Sequence, residues 1–253
     1  MLADPWFYVA CIPAVLLYGI AKGGFGGAVA VLSVPMMALI MPPTQAAAIL
    51  LPILVVMDVL AVKTYWGIFD RRALRLLLPG ALVGIIIGYF SADAMNDDYM
   101  RVLIGALSLA FGLQNLLHLQ SRASREHHPV TGGLFGVLAG FTSFSIHAGG
   151  PPFTMYLMPK KLSPQLFAGT AAIFFAVVNF VKLLPYYVLG QFSADNLLYS
   201  LLLVPLAPVG IKVGHYLVKR SEAGVYYSVI SFFLVVVGAK LLWEGLSAMH
   251  VSA

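Results

Sequence analysis

The sequence predicts an all-α polytopic membrane protein, built from two inverted-topology repeats of about five helical segments each. Three observations lead there. The chain is 60% hydrophobic and only 10% charged, with a mean hydropathy of +0.92. Landmarks of the first half return in the second at one fixed offset: Pro79, Gly84, Gly88 and Gly112 recur as Pro205, Gly210, Gly214 and Gly238. The cations gather in alternate loops between apolar runs.

Soluble domains carry about 25% charged residues, far more than this chain. At about 20 apolar residues per crossing, the 253 residues hold roughly eight to ten membrane segments and almost nothing else. The net charge of +5 lies in short loops, so it marks membrane topology and not a nucleic-acid surface. Cys11 is the sole cysteine, which excludes an internal disulfide and a multi-cysteine metal site. Residues 1–5 lack the basic start of a signal peptide, so none is expected. No HExxH, GK[ST] phosphate loop, GxSxG or aspartate-rich metal motif occurs. His127 and His128 are adjacent in a charged loop, a solvated pair and not a metal site. No metal, cofactor or enzymatic activity is expected.

The apolar runs cover residues 6–21, 26–41, 44–66, 73–91 and 99–119, then 130–146, 150–158, 164–189, 196–218 and 224–247. They are too long for barrel strands and show no strand-like alternation, which leaves helices. A short polar linker, 120–129, separates a first repeat (1–119) from a second (130–253). Arg71, Arg72, Arg75, Arg122, Arg125, Lys160, Lys161, Lys219 and Arg220 all fall on one side in a single threading, the cytoplasmic side by the positive-inside rule. The opposite loops hold Asp93, Asp97, Asp98 and Asp195, with Arg101 as their only cation. Five segments per half is an odd number, so the second repeat is inverted and both termini face the periplasm of an inner-membrane protein.

The second segment of each half departs from the pattern. Residues 26–41 contain Pro35 and end at Pro42-Pro43, and 150–158 opens with Pro151-Pro152 and is too short to span. Each follows a glycine-rich break: Lys22-Gly23-Gly24-Phe25-Gly26-Gly27, and His147-Ala148-Gly149-Gly150. Unpaired backbone at membrane depth is tolerated where it lines a cavity or is packed in protein, so segments one and two of each half are candidates for a re-entrant hairpin of broken helices. A helix starting at Gly26 or Gly150 points free N–H groups and its positive dipole end at the break, a ready site for an oxyanion. Close helix packing by small residues is the plainer explanation for either break alone. The paired breaks, with Lys22 at one and Thr142, Ser143, Ser145 and His147 at the other, favour a binding site.

Ionisable groups inside apolar spans are costly and mark function by default. Asp58, Lys182, Lys212, His215 and Lys240 lie within segments, as does Lys22. Asp58 and Lys182 occupy the equivalent third segments, with Asn179 aligned near Asp58. They are candidates for polar contacts (Asn179, Lys182) and for a coupling or gating group (Asp58). A purely structural Asp58–lysine pair is the alternative. Gln45 and Gln165 open those segments as helix-start side chains or site donors. Lys63 is expected to snorkel, and Tyr65, Trp66, Tyr186 and Tyr187 to form an interfacial belt.

The stretches Ala21-Lys22-Gly23-Gly24-Phe25-Gly26-Gly27 with Pro35, and Gly140-Phe141-Thr142-Ser143-Phe144-Ser145-Ile146-His147-Ala148-Gly149-Gly150-Pro151-Pro152 continuing through Gln165, Gly169-Thr170, Asn179 and Lys182, resemble the sulfite exporter TauE/SafE family, the four-toluene-sulfonate-uptake group of bacterial carriers. The resemblance covers essentially the whole chain, although the family's central linker is often longer. It implies export or uptake of sulfite, sulfoacetate and other organosulfonates, or thiosulfate. The expected protein is thus a secondary transporter in the lipid bilayer, working by alternating access, with a homodimer as a candidate assembly. An anion channel and a carrier of another small oxyanion are the alternatives. The expected anion cradle is Lys22, Gly23, Gly24, Gly26, Gly27, Gln45, Ser143, Ser145, His147, Gly149, Gly150, Gln165, Asn179 and Lys182.

Overall fold

The computed structural model describes residues 4–25, 30, 33–37, 40–92, 98, 102, 105–106, 108–109, 112–113, 116–117 and 128–252. Among these, every regular element is helical. Of the residues singled out above, Gly26, Gly27, Asp93, Asp97, Arg101, Arg122, Arg125 and His127 lie outside the described set, as does most of the 120–129 linker.

Helix α1 (Pro5–Ile20) starts on the Asp4 side chain, which accepts from Trp6 N–H. It runs into a wider π-type turn, Ala21–Phe25, interrupted at Gly24 (φ 179°, ψ −21°). A short α2 (Ser33–Met37) and the long α3 (Pro43–Thr64) follow. Helix α4 (Arg71–Phe90) is capped by Asp70, whose carboxylate accepts from Arg72 and Ala73 N–H at 2.9 and 3.0 Å. In the second half, α5 (Pro129–Ile146) ends at His147, and α6 (Gly150–Leu157) leads through a 3-10 turn, Met158–Lys160. Helix α7 (Pro164–Val188) comes next. Helices α8 (Ala194–Leu203) and α9 (Leu206–Arg220) are bent by 46° at the Val204-Pro205 break. Helix α10 (Ala223–Ser252) closes the chain. Both third helices, α3 and α7, begin with proline at the first turn, where its missing N–H costs nothing.

Among the described residues, 6 helices are long and apolar enough to cross a membrane, or 7 with the bent α8–α9 pair taken as one span. That is fewer than the eight to ten expected. The shortfall is local. Helix α6, at eight residues, rises only about 12 Å, well short of a core about 30 Å thick. The residues on either side of α2 and most of 99–119 lie outside the described set.

The packing is reciprocal. Helix α1, first in its half, packs on α9, fourth in the other; α4, fourth in its half, packs on α5, first in the other. The third helices α3 and α7 pack on each other. Small residues let the backbones approach closely, as membrane helices require in the absence of a hydrophobic drive. A Cβ on Gly19 would lie 2.8 Å from Gly210 Cα, and one on Gly140 would lie 2.0 Å from Ala81 O. Gly105 and Gly238, in the fifth segments, likewise sit against each other's helix.

Candidate functional site

The polar groups of the interior collect around α3 and α7. Lys22, in the π-type turn after α1, places its Nζ on Asp58 Oδ1 of α3. The other carboxylate oxygen accepts from Asn179 Nδ2 of α7 at 2.7 Å. One helical turn further along α7, Lys182 is fully buried and its Nζ meets three acceptors. They are Ser143 O at 2.7 Å, Ser143 Oγ at 3.1 Å and His147 Nδ1 at 2.7 Å. Three acceptors match the three N–H donors of an ammonium.

His147 is held by its backbone as well as its ring. It sits in the left-handed region (φ 55°, ψ 28°) just past α5, where histidine is more tolerated than most residues. Its N–H and that of Ala148 close the helix end on Ser143 O and Thr142 O at 3.2 and 3.0 Å. Thr142 Oγ1 lies between two carbonyls, Leu138 O at 2.8 Å and Ala148 O at 3.0 Å. The ring then reaches Ala47 O of α3 through Nε2 at 2.9 Å. A carbonyl only accepts, so Nε2 carries the hydrogen and Nδ1 is the acceptor for Lys182.

Three tyrosines close the cluster. Tyr18 lies one turn before Lys22; its hydroxyl donates to His147 O at 3.1 Å, and its ring centroid is 6.0 Å from Lys22 Nζ. Tyr186 lies one turn after Lys182, donates to Phe144 O at 2.8 Å and stacks on the His147 ring. Tyr65 donates to Gly23 O. Phe175 offers a second aromatic face to Lys22, 5.9 Å away. Tyr18 and Phe175 escaped the sequence reading. Tyr65 and Tyr186 were expected at the interface and are instead buried, at 1% and 2% exposure, whereas Trp66 and Tyr187 are exposed as a belt requires. The signal was in the helical register: Tyr18 and Tyr186 are each four residues from a buried lysine, hence on its face.

The structure brings together Lys22, Asp58, Ser143, His147, Asn179 and Lys182 of the expected residues. Gly149 and Gly150 stand at the start of α6 nearby, both buried. A Cβ on Gly149 would meet Ala139 O at 2.7 Å and Ser143 Cβ at 2.8 Å, so this glycine is needed for packing in any case. Pro151 and Pro152 remove two of the donors a helix start would normally offer. Gly23 and Gly24 press against α9, where added Cβ atoms would strike Ile211 O at 2.6 Å and Val218 Cγ2 at 1.9 Å. Ser145 turns back to Phe141 O at 2.8 Å. Gln45 lies apart from the cluster at the start of α3 and donates to Asn196 Oδ1 at 3.1 Å. Gln165 is exposed at the start of α7. Lys212 and Lys240 are exposed, the latter paired with Glu244 at 2.6 Å, so neither is a buried charge. Asp58 pairs with Lys22 and not with the lysine of its equivalent segment. Beside Asp58, a groove of about 580 Å³ between α3 and α7 is lined by Val55, Val59, Val62, Phe180 and other apolar side chains, with Lys63 and Trp66 also on its wall.

A bundle of membrane-length apolar helices with ionisable side chains buried among them defines a multi-pass membrane protein. The family model described as "Sulfite exporter TauE/SafE" matches residues 11–241, and the chain belongs to that family. Membership makes it a membrane transporter of the sulfite-exporter type. No curated protein and no solved structure matches the chain.

Proposed function

We propose that this chain is a secondary transporter, of the exporter type, that moves a small sulfur-containing anion such as sulfite, sulfoacetate or another organosulfonate by alternating access. One observation carries the reading: two lysines and a single carboxylate are buried in one cluster, with Lys182 facing only neutral acceptors. Deep, unshared cationic groups are expensive and are retained where an anion must pass. The anion would sit between Lys22 and Lys182, taking N–H and O–H donors from them, Ser143, Asn179 and the Gly149-Gly150 amides. His147 would orient Lys182. No enzymatic step is needed for this role.

Two inverted repeats, 1–119 and 130–253 joined by the 120–129 linker, would supply the two gates. Support comes from the reciprocal packing of α1 on α9 and α4 on α5, with α3 and α7 meeting at the centre, as expected when like elements are related by a pseudo-twofold axis in the membrane plane. In this arrangement the second segments, which include α2 and the eight-residue α6, are re-entrant, the protein lies in the inner membrane and both termini are periplasmic. Purified protein in liposomes tests the reading. Flux of sulfite or sulfoacetate that saturates with concentration and is lost in Lys182→Met supports a carrier. Ohmic anion current makes the protein a channel, and absence of any sulfur-anion flux refutes the reading.

A further inference from the structure

We infer that Asp58 is an internal counter-anion that the substrate replaces on Lys22, so that each anion bound takes up one proton at Asp58. The inference rests on the transport reading above and adds to it a second ligand, the proton, with its own site.

The geometry leads there in three steps. First, Asp58 is 3% exposed, and both its oxygens are engaged, Oδ1 by Lys22 Nζ and Oδ2 by Asn179 Nδ2. The carboxylate therefore stands where an arriving anion would find Lys22. Second, an anion seated on Lys22 stands against that carboxylate, while Lys182 is held one turn along α7 by Ser143 and His147; like charges held close in a poorly screened interior force one of them to take a proton. Third, the remaining groups are poor receivers for that proton. From the π-type turn and α1, Lys22 and Tyr18 face the carboxylate's surroundings; from α7, Asn179, Lys182 and Tyr186; from the end of α5, His147. His147 Nδ1 is already engaged by Lys182 Nζ, and a proton taken up by Lys182 instead would persist in Asp58→Asn, which the test below separates. On α9, His215 faces Tyr65, about two turns from Asp58 along α3. On α8, Asn196 and Ser200 meet Gln45 and Ile49 toward the other end of α3. The described residues of α2 hold no ionisable side chain.

Once protonated, the carboxyl gives up its claim on Lys22 and keeps the hydrogen bond from Asn179. The groove between α3 and α7 borders Asp58. The charges balance. In the empty state Lys22 is paired with the carboxylate; in the loaded state it is paired with the anion, and the proton sits on Asp58. A monoanion and a proton then cross together with no net charge. Net flux follows the product of their two gradients, so export proceeds only while the internal anion excess outweighs the inward proton gradient.

The test uses purified full-length protein and the tightest binder among methanesulfonate, sulfate and thiosulfate, probes that hold their own charge near neutral pH. Calorimetric titration in two buffers of different ionisation enthalpy counts protons. One proton taken up per anion is expected, with affinity rising about tenfold per pH unit lowered while the empty-state carboxylate is ionised. Asp58→Asn should bind with no proton uptake and a flat pH profile, and His147→Gln should keep the uptake. Infrared difference spectra of the wild-type protein give a second readout that needs no variant to fold. A protonated-carboxyl band should appear on anion binding. Binding without proton uptake, a missing band, or uptake that persists in Asp58→Asn each overturns the coupling and leaves the transport reading standing. Failure of all three anions to bind overturns the anion site, and the coupling with it.

Discussion

Asn179 and Asp58 meet across the α3–α7 contact, with Asn179 Nδ2 donating to Asp58 Oδ2 at 2.7 Å in a fully buried setting. Removing the donor leaves a buried carboxylate oxygen with one partner fewer. Hydrogen bonds to charged groups contribute about 1.5–3 kcal/mol. Asn179→Ala should therefore lower stability by about that amount in detergent unfolding experiments. Asn179→Gln, which keeps the amide, should recover part of it. An Asn179→Ala protein as stable as the wild type would mean that water replaces the amide, and the site would be wetter than the packing indicates.

Helix α5 offers a control within a single helix. A Cβ on Gly140 would meet Ala81 O at 2.0 Å, a backbone atom of α4 that cannot step aside, whereas one on Gly133 meets nothing within 4 Å. Gly133→Ala should stabilise by about 0.5–1 kcal/mol, because alanine is the better helix former. Gly140→Ala should instead push α4 and α5 apart and lower the thermal transition. Equal effects of the same sign at both positions would contradict the α4–α5 crossing.

The helical membrane architecture was legible in the sequence because it rests on long apolar runs, and lipid leaves helices few competitors. The site was legible in part. Lys22, Asp58, Asn179 and Lys182 announced themselves as polar groups in apolar spans, and they do converge. The tyrosines did not, since Tyr65 and Tyr186 sit at segment ends, where an interfacial position is the ordinary expectation. Only the partner elements reveal that their hydroxyls have buried carbonyls to reach. The glycines carry a packing role that spacing does not separate from a binding one. Gly23 and Gly24 read as anion-cradle candidates, but spacing cannot tell a backbone that approaches a ligand from one that approaches a helix, and both glycines are also required by the close approach of α9. Gln45 and Gln165 matched each other by position in the repeat, yet about 20 Å of helix separates them from Asp58 and Asn179 along α3 and α7.

The ring of His147 has its Nε2 on Ala47 O and its Nδ1 on Lys182, which requires a neutral imidazole with hydrogen on Nε2. A charged His147 would turn a donor toward a donor. His147→Gln should weaken binding, because Lys182 is less well held, but should leave the shape of the pH profile unchanged. Calorimetry across pH on the wild type and this variant checks it. Loss of the pH dependence in His147→Gln would show that the imidazole, and not a carboxylate, takes the proton.

The two lysines should contribute unequally. Lys22 is already neutralised by Asp58, so an anion gains its charge only by displacing that partner. Lys182 faces a carbonyl, a hydroxyl and an imidazole with no carboxylate in direct contact, so an incoming anion meets it without displacing a charged partner. A charge-assisted contact contributes about 1.5–3 kcal/mol, so Lys182→Met should weaken anion binding roughly 10- to 150-fold. Lys22→Met removes the partner that the loaded anion takes and leaves Asp58 as an unpaired buried group that is neutral before the anion arrives, so the loss of affinity should be largest at low pH, where the wild type binds best. Binding measured for both variants at two pH values separates these effects. If Lys22→Met weakens binding more than Lys182→Met at low pH, the anion is held mainly at the Lys22 end, and Lys182 serves to fix His147 and Ser143.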